Sequence, residues 1–328
     1  MTIASEKIIQ AIEFVVKPLS VGTNIALLHV LWAMVSGTFL DSRGAVHTAL
    51  KLSGRSDKET RRSSTALRKG QWQISELIDR WRTWVEQTGE WKVREYEGWR
   101  AVSCDVVVFP RLSLKGWEAK LYRGIFGKAI KAVGLGIIVD IGQYEGKRAP
   151  LLRKIVRCQN SKESEKQLKL DLLREAACTL QDNEVFVHDA GVGIKEVQQA
   201  KITHYVIRLA KNCVARWPYL PENAHGNRQC GDYIRPLART RKGVETAASN
   251  DPTLTTKFEY QGRTIKASCW ENVVGSKDKV ADEAETYHIW VFLTRCIQSH
   301  LSWGQMCLRR QTQFSNSTVT VGQLNNCP

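Results

Sequence analysis

Apolar residues recur at helical spacing through the first third of the chain. Glu6 to Val16 and Asn24 to Leu40 carry that spacing, and a later stretch, Trp72 to Gln87, sets Ile74, Leu77, Ile78, Trp81 and Trp84 on one stripe. Such a stripe is expected to be core, with base stacking its rarer use. Residues 1 to about 97 therefore read as helical, without a convincing strand. From Trp99 the period changes. Val102 to Phe109, Gly134 to Asp140, Glu184 to Asp189 and His204 to Leu209 are short runs rich in Val, Ile and Phe. Each reads as a strand. A charged amphipathic helix from Gln159 to Leu180 and a short one from Ile194 separate them. This alternation predicts an α/β fold with some antiparallel pairing.

Residues 212 to about 280 break the alternation. They are rich in Gly, Asn, Arg and Thr, and Lys257 to Trp270 predicts a hairpin turning at Gln261-Gly262. We read this as a β-rich insertion in the α/β domain. Ala281 to Phe292 reads as a linker entering a strand.

Charge narrows the partners. The 328 residues carry a formal net charge of +15, which favours a polyanion. Asn24 to Leu40 is too short, and with His29 too polar, for a membrane span, so a buried helix is expected. The nine cysteines show no CxxC pair and read as reduced thiols. His225 with Cys230, in a loop-like stretch, is a slender basis for zinc. The segment Arg55 to Lys69, with Arg61, Arg62, Arg68 and Lys69, suits phosphate contacts and equally suits a solvated helix face.

The most specific chemistry lies in two acids on apolar strands. Asp105 sits within Ala101-Val-Ser-Cys-Asp-Val-Val-Val-Phe109, and Asp189 ends Glu184-Val-Phe-Val-His-Asp189 before Ala190-Gly-Val-Gly193. A carboxylate on a buried strand must be hydrogen-bonded, paired or metal-bound. Asp105 could equally be a structural carboxylate, and Asp140, ending another apolar strand, rivals Asp189 for the second position. In a basic protein two such acids suggest Mg²⁺ acting on phosphodiesters.

After Asp189 come a turn into a helix and then His204-Tyr-Val-Ile-Arg-Leu-Ala-Lys-Asn212. That order resembles the DDE transposases of bacterial insertion sequences, over about Phe39 to Phe292. The resemblance implies an RNase H-like mixed sheet with a β-rich insertion, preceded by an all-helical DNA-binding region over 1–97, with the catalytic domain at 98–292. It implies that Asp105 and Asp189 are metal ligands and catalytic acids, and that Arg208, Lys211 and Arg216 contact DNA. The cofactor it implies is Mg²⁺, with Mn²⁺ as a substitute, in a two-metal site with ions about 4 Å apart. The partner it implies is double-stranded DNA, as terminal inverted repeats and as target, with a homodimer in view and no membrane. The location it implies is the cytoplasm, at the nucleoid.

The family also requires a Glu within a Tyr, Arg and Glu pattern, and this frame supplies none. Leu293 to Pro328 contains no Asp or Glu and holds three of the nine cysteines. Reading one base earlier, Trp303-Gly304 forces Gly and Met306-Cys307 forces Val. Permitted codons let Leu293 to Leu301 read Asp-Pro-Leu-Tyr-Pro-Glu-Pro-Leu. Ser315 to Asn326 can read Gln-Phe-Tyr-Cys-Asp-Arg-Trp-Pro-Ile-Glu-Gln, with Glu spanning the codons of Leu324 and Asn325. The expectation is a frameshift at Val291-Phe-Leu293 that leaves 293–328 as a disordered, out-of-frame tail and removes the catalytic Glu. Two readings besides an inactivated transposase stay open: a non-catalytic DNA-binding remnant, and an RNase H-like nuclease without strand transfer.

Overall fold

The computed structural model describes residues 3–110, 115–116, 118–123, 127–158, 164–189, 191–210, 212–219, 230–241, 243–249, 251–260, 262–276, 285–294 and 303–308. The fold is mixed α/β, and the chain divides into two units. The first is Met1–Val93 with Gly142–Ile155; the second is Arg94–Ile141 with everything from Val156 onward. The boundary expected near residue 97 lies slightly earlier, and the segment 142–155 belongs with the N-terminal helices.

In the first unit the helices are α1 (Ile3–Val16), α2 (Thr23–Val35), α3 (Thr38–Asp41), α4 (Val46–Leu52), α5 (Asp57–Lys69) and α6 (Ile74–Thr88). The helix expected over Asn24 to Leu40 breaks in two because Gly37 takes a left-handed φ of 85°. Among the described residues no helix is long and apolar enough to cross a membrane. Helix α5 begins with a reciprocal cap. The Ser56 hydroxyl accepts the Glu59 N–H, and the Glu59 carboxylate accepts the Ser56 N–H. Its inner side is Thr60, Ser63 and Ala66, spaced three apart and buried. On α6 the expected stripe is only partly core. Ile78 is buried and Trp84 packs on Phe14 at 5.4 Å, but Ile74 and Trp81 are exposed.

The N-terminal region also contains strand. β1 (Trp91–Val93) pairs with the end of β5 (Lys128–Tyr144), and Trp91 lies where a side chain on Gly142 would stand. Its indole N–H donates to the Ala149 carbonyl at 2.8 Å, within β6 (Lys147–Arg157). Glu145 and Gly146 turn β5 into β6 with φ of 49° and 73°, the backbone of a tight primed turn.

In the second unit β3 (Trp99–Pro110) pairs antiparallel with β5 and with short β2 (Glu95–Tyr96), and parallel with β7 (Glu184–His188). β4 (Lys120–Arg123) lies along the other edge of β5. β7 then pairs parallel with β8 (Tyr205–Arg208). Helices α7 (Glu165–Thr179) and α8 (Ile194–Gln199) flank β7 in sequence, and both bury Leu or Val against one sheet face. Gly134 and Gly136 permit that approach. A Cβ on Gly136 would stand 2.8 Å from Leu172 Cδ1, and one on Gly134 2.7 Å from Leu168 Cδ2.

The expected insertion does not stand apart from this sheet. β9 (Ala215–Arg216) and β10 (Tyr233–Ile234) join the edge of β14 (Arg263–Gly275), while β11 (Arg239–Arg241) and β12 (Val244–Thr246) pair separately. β13 (Leu254–Tyr260) and β14 form the expected hairpin, with Tyr260 opposite Arg263 and Gly262 at a φ of 70°. β14 continues through β15 (Tyr287–Thr294) and β16 (Trp303–Leu308) to β8. The segment expected to be a disordered tail thus contributes a strand, because both β8 and β15 offer an edge whose backbone groups need partners. Residues 295–302 and 309–328 lie outside the described residues.

Candidate functional site

Alternation along strands sends neighbouring residues to opposite faces. In β3, Val102 and Cys104 face α7 and α8 together with Phe186, Tyr205 and Ile207. The opposite face carries Ala101, Val185 and Val206, with Trp99, Ile141 and Val187 half-buried around them. Asp105 belongs to this second face and is exposed, where a buried carboxylate was expected.

The register places the acids together. Ser103 pairs with Val187 across the parallel ladder, and two residues further along each strand stand Asp105 and Asp189. On the next strand His188 pairs with Ile207, so the following step sets Asp189 beside Arg208. Arg208 in turn pairs with Met306 of β16. Continued past the last paired residues, the same alternation sets Asp105, Asp189 and Arg208 on one face of β3, β7 and β8. All three are exposed.

Local bonds hold the acids. The Asp189 carboxylate, 76% exposed, accepts the Gly191 N–H at 2.7 Å and lies 3.2 Å from Nδ1 of buried His188. Asp105 accepts the Val106 N–H at 2.7 Å. Between them, facing inward, burial pushes the Cys104 thiol up to about 12, and the negative charges of Asp105 and Asp189 add to that effect.

Asp140 is excluded from this face. It pairs with Val102 while Asp105 pairs with Ile137, so it faces the other side of the sheet, where it is buried. Arg216 departs from its expected role as a DNA contact. Its guanidinium donates to the carbonyls of Ser276, Cys230 and Gly231 and lies 3.6 Å from the centre of the Tyr233 ring. That side chain fastens β9 to its neighbours. Lys211 and His225 lie outside the described residues. In the first unit Arg61, Arg62, Arg68 and Lys69 are exposed on α5, away from its buried side.

The oxygen-only donors of Asp105 and Asp189 suit a hard ion such as Mg²⁺, which binds through one or two carboxylates and keeps several waters. Among the described residues, the group of three ligating side chains close enough to share an ion lies elsewhere: Cys269, Glu271 and His288. Sequence reading passed over it, although Cys-x-Glu on one strand with His on the next was the available sign. Burial pushes the Cys269 thiol up to about 12, and Glu271 adds to it. Cysteines 104, 158, 178, 213, 230 and 269 are free thiols.

No protein-family model matches the chain, and no curated protein matches it.

Proposed function

We propose that this chain is a DNA transposase of the DDE type, with an RNase H-like core, which in its present reading frame binds DNA without completing strand transfer. The observation that carries this reading is that exposed Asp105, Asp189 and Arg208 share one sheet face just past the ends of the ladders joining β3, β7 and β8. Asp105 and Asp189 would hold Mg²⁺ or Mn²⁺. Bound there, the ion supplies activation of a water or 3′-hydroxyl and neutralisation of phosphate charge. The other residues act directly. Arg208, one strand over, binds a phosphate oxygen through charge-assisted hydrogen bonds. The Gly191 N–H keeps the Asp189 carboxylate oriented.

The first unit supports a DNA partner by separate means. Helices α4 and α5 are joined by Ser53 to Ser56, with Gly54 at a φ of 80°, the short glycine-containing turn of a helix-turn-helix. The outward side of α5 presents Arg61, Arg62, Arg68 and Lys69 for phosphate contacts along a duplex. The net charge of +15 favours a polyanion such as DNA; the proposed place of action is the nucleoid in the cytoplasm, and a homodimer would let two element ends be held together.

One observation favours the non-catalytic remnant over the active enzyme. From Leu293 to Pro328 the chain carries no Asp or Glu that could complete the pair. The deciding experiment incubates the full chain with Mg²⁺ and duplexes carrying the DNA that flanks its coding sequence, beside a chain with the shifted frame restored. We expect end binding by both and joining by the restored chain alone. Cleavage without joining by the restored chain would identify a nuclease instead. Absence of end binding by either would refute the reading.

A further inference from the structure

Cys269 and Glu271 stand two residues apart on β14, and His288 lies on the neighbouring strand β15. The register that pairs Cys269 with Trp290 and Trp270 with Ile289 brings Glu271 opposite His288, on the same face as Cys269. Trp270 pairs with Ile289 and Val273 with Tyr287, so Glu271 and Asn272 together oppose His288. This is a bulge, and Asn272 takes the extra position with a φ of 52°. Glu271 stays on the face of Cys269 by simple alternation, and the extra residue shifts the register only beyond it, before Val273. The Sγ, carboxylate oxygen and imidazole nitrogen of the three residues all lie within 4.8 Å of one another.

Two further features make this a built arrangement. The Thr253 hydroxyl donates to the Cys269 carbonyl at 3.0 Å and accepts the Glu271 N–H at 3.1 Å, fixing the backbone on both sides of Trp270. Around Cys269 lie Ala267, Trp290, Phe258 and Phe292, an apolar wall against the sulfur. Cys269 and His288 are both buried and Glu271 is half-buried.

We propose that Cys269, Glu271 and His288 bind one Zn²⁺-like divalent ion, with a water as fourth ligand. One sulfur, one nitrogen and one oxygen are the donors of a borderline-soft ion, and three protein ligands with an open position are a recurring tetrahedral arrangement. A thiolate and imidazole are the wrong donors for Mg²⁺. Zinc bond lengths put neighbouring ligand atoms about 3.4–3.6 Å apart, so binding draws donors now within 4.8 Å of one another together by at most roughly 1.4 Å. The ion would clamp the bulge and fasten β14 to β15. Nothing in this depends on the acid pair or on DNA.

Cobalt reports the site directly, because a thiolate bound to Co²⁺ gives a charge-transfer absorption that nitrogen and oxygen ligands do not. The full chain, stripped with a chelator, is titrated with Co²⁺ and then with Zn²⁺. We expect one equivalent of Co²⁺ to produce the band, Zn²⁺ to abolish it, and excess Mg²⁺ to leave it. Cys269→Ser should remove the band, while Cys178→Ser, at an exposed thiol, should keep it. Loss of an outer-shell partner already weakens metal binding 10–100-fold, so Glu271→Gln and His288→Gln should each weaken Co²⁺ binding at least about ten-fold. Glu271→Gln changes a half-buried side chain by one atom, so it tests ligation in a folded protein; its circular dichroism should match the parent. A band that survives Cys269→Ser, an unchanged affinity in Glu271→Gln, or no stoichiometric Co²⁺ binding by the parent would overturn the assignment.

Discussion

Asp105 and Asp140 face opposite sides of the same two strands. Asp105 pairs with Ile137 and Asp140 with Val102, three residues away on each strand. One is exposed beside Asp189, and the other is buried on the side covered by α7. Their substitutions should therefore separate cleanly. Asp105→Asn and Asp189→Asn should weaken Mn²⁺ binding at least about ten-fold, measured by electron paramagnetic resonance, with little change in melting temperature. Asp140→Asn should leave Mn²⁺ affinity intact and lower stability by about 1–3 kcal/mol, since it disturbs a buried polar group.

The reciprocal cap of α5 predicts a local stability effect. Ser56→Ala should cost about 1 kcal/mol in a denaturant titration. The Ser56 hydroxyl, then its backbone N–H, hold the Glu59 carboxyl below the ordinary value of 4.5. The cap's electrostatic part is therefore present above pH 4.5 and lost as pH falls through the lower folded value. The stability difference between parent and Ser56→Ala should shrink in that acidic range.

His29 sets a second pH dependence, of opposite origin. Burial, then the charge of Arg55, hold its imidazole below the ordinary value of 6.5, against a smaller opposing effect of Glu59. The folded state thus binds fewer protons there than the unfolded state. Stability should be undiminished above pH 6.5 and fall as pH drops below it toward the folded value. Thermal melting across this range, repeated with His29→Gln, should show the slope in the parent and its loss in the variant.

Contact between α7 and the sheet depends on missing side chains. Leu172 is 1% exposed and occupies the space over Gly136. Gly136→Val should destabilise by about 1–3 kcal/mol through overpacking, read as a lower denaturant midpoint.

If α5 lies along a phosphate backbone, its basic residues act through counterion release. Arg61→Ala and Arg62→Ala should each weaken duplex binding about equally for any DNA sequence. Each should also reduce the slope of log affinity against log salt by about 0.9. Arg216→Ala should instead loosen β9, because its donors serve carbonyls of the chain itself.

Sequence patterning revealed elements wherever one short-range rule decided them. The hairpin at Gln261-Gly262 was legible because a two-residue turn needs a glycine at positive φ. The strands containing Val102 and Phe186 were legible because both their faces are largely covered. β6 was not, since Pro150 interrupts it and Glu145-Gly146 is a weaker turn sequence than Asn-Gly. The acids could be picked out as polar residues in apolar runs. Their neighbourhood with Arg208 could not, because register between strands far apart in sequence is set by packing, not by spacing along the chain. The pairing of β14 with β15 that gathers Cys269, Glu271 and His288 was hidden for the same reason.

Strand β16 joins β8 to β15, and without Trp303–Leu308 the two would be open edges. During translation at roughly 5–20 residues per second, β8 waits about 5–20 s for that strand to be made. For that interval the nascent chain presents unpaired backbone next to an apolar sheet, the situation in which strands of neighbouring chains pair with one another. Growth temperature and expression rate should therefore govern the yield of folded protein more strongly than any single contact in the finished molecule.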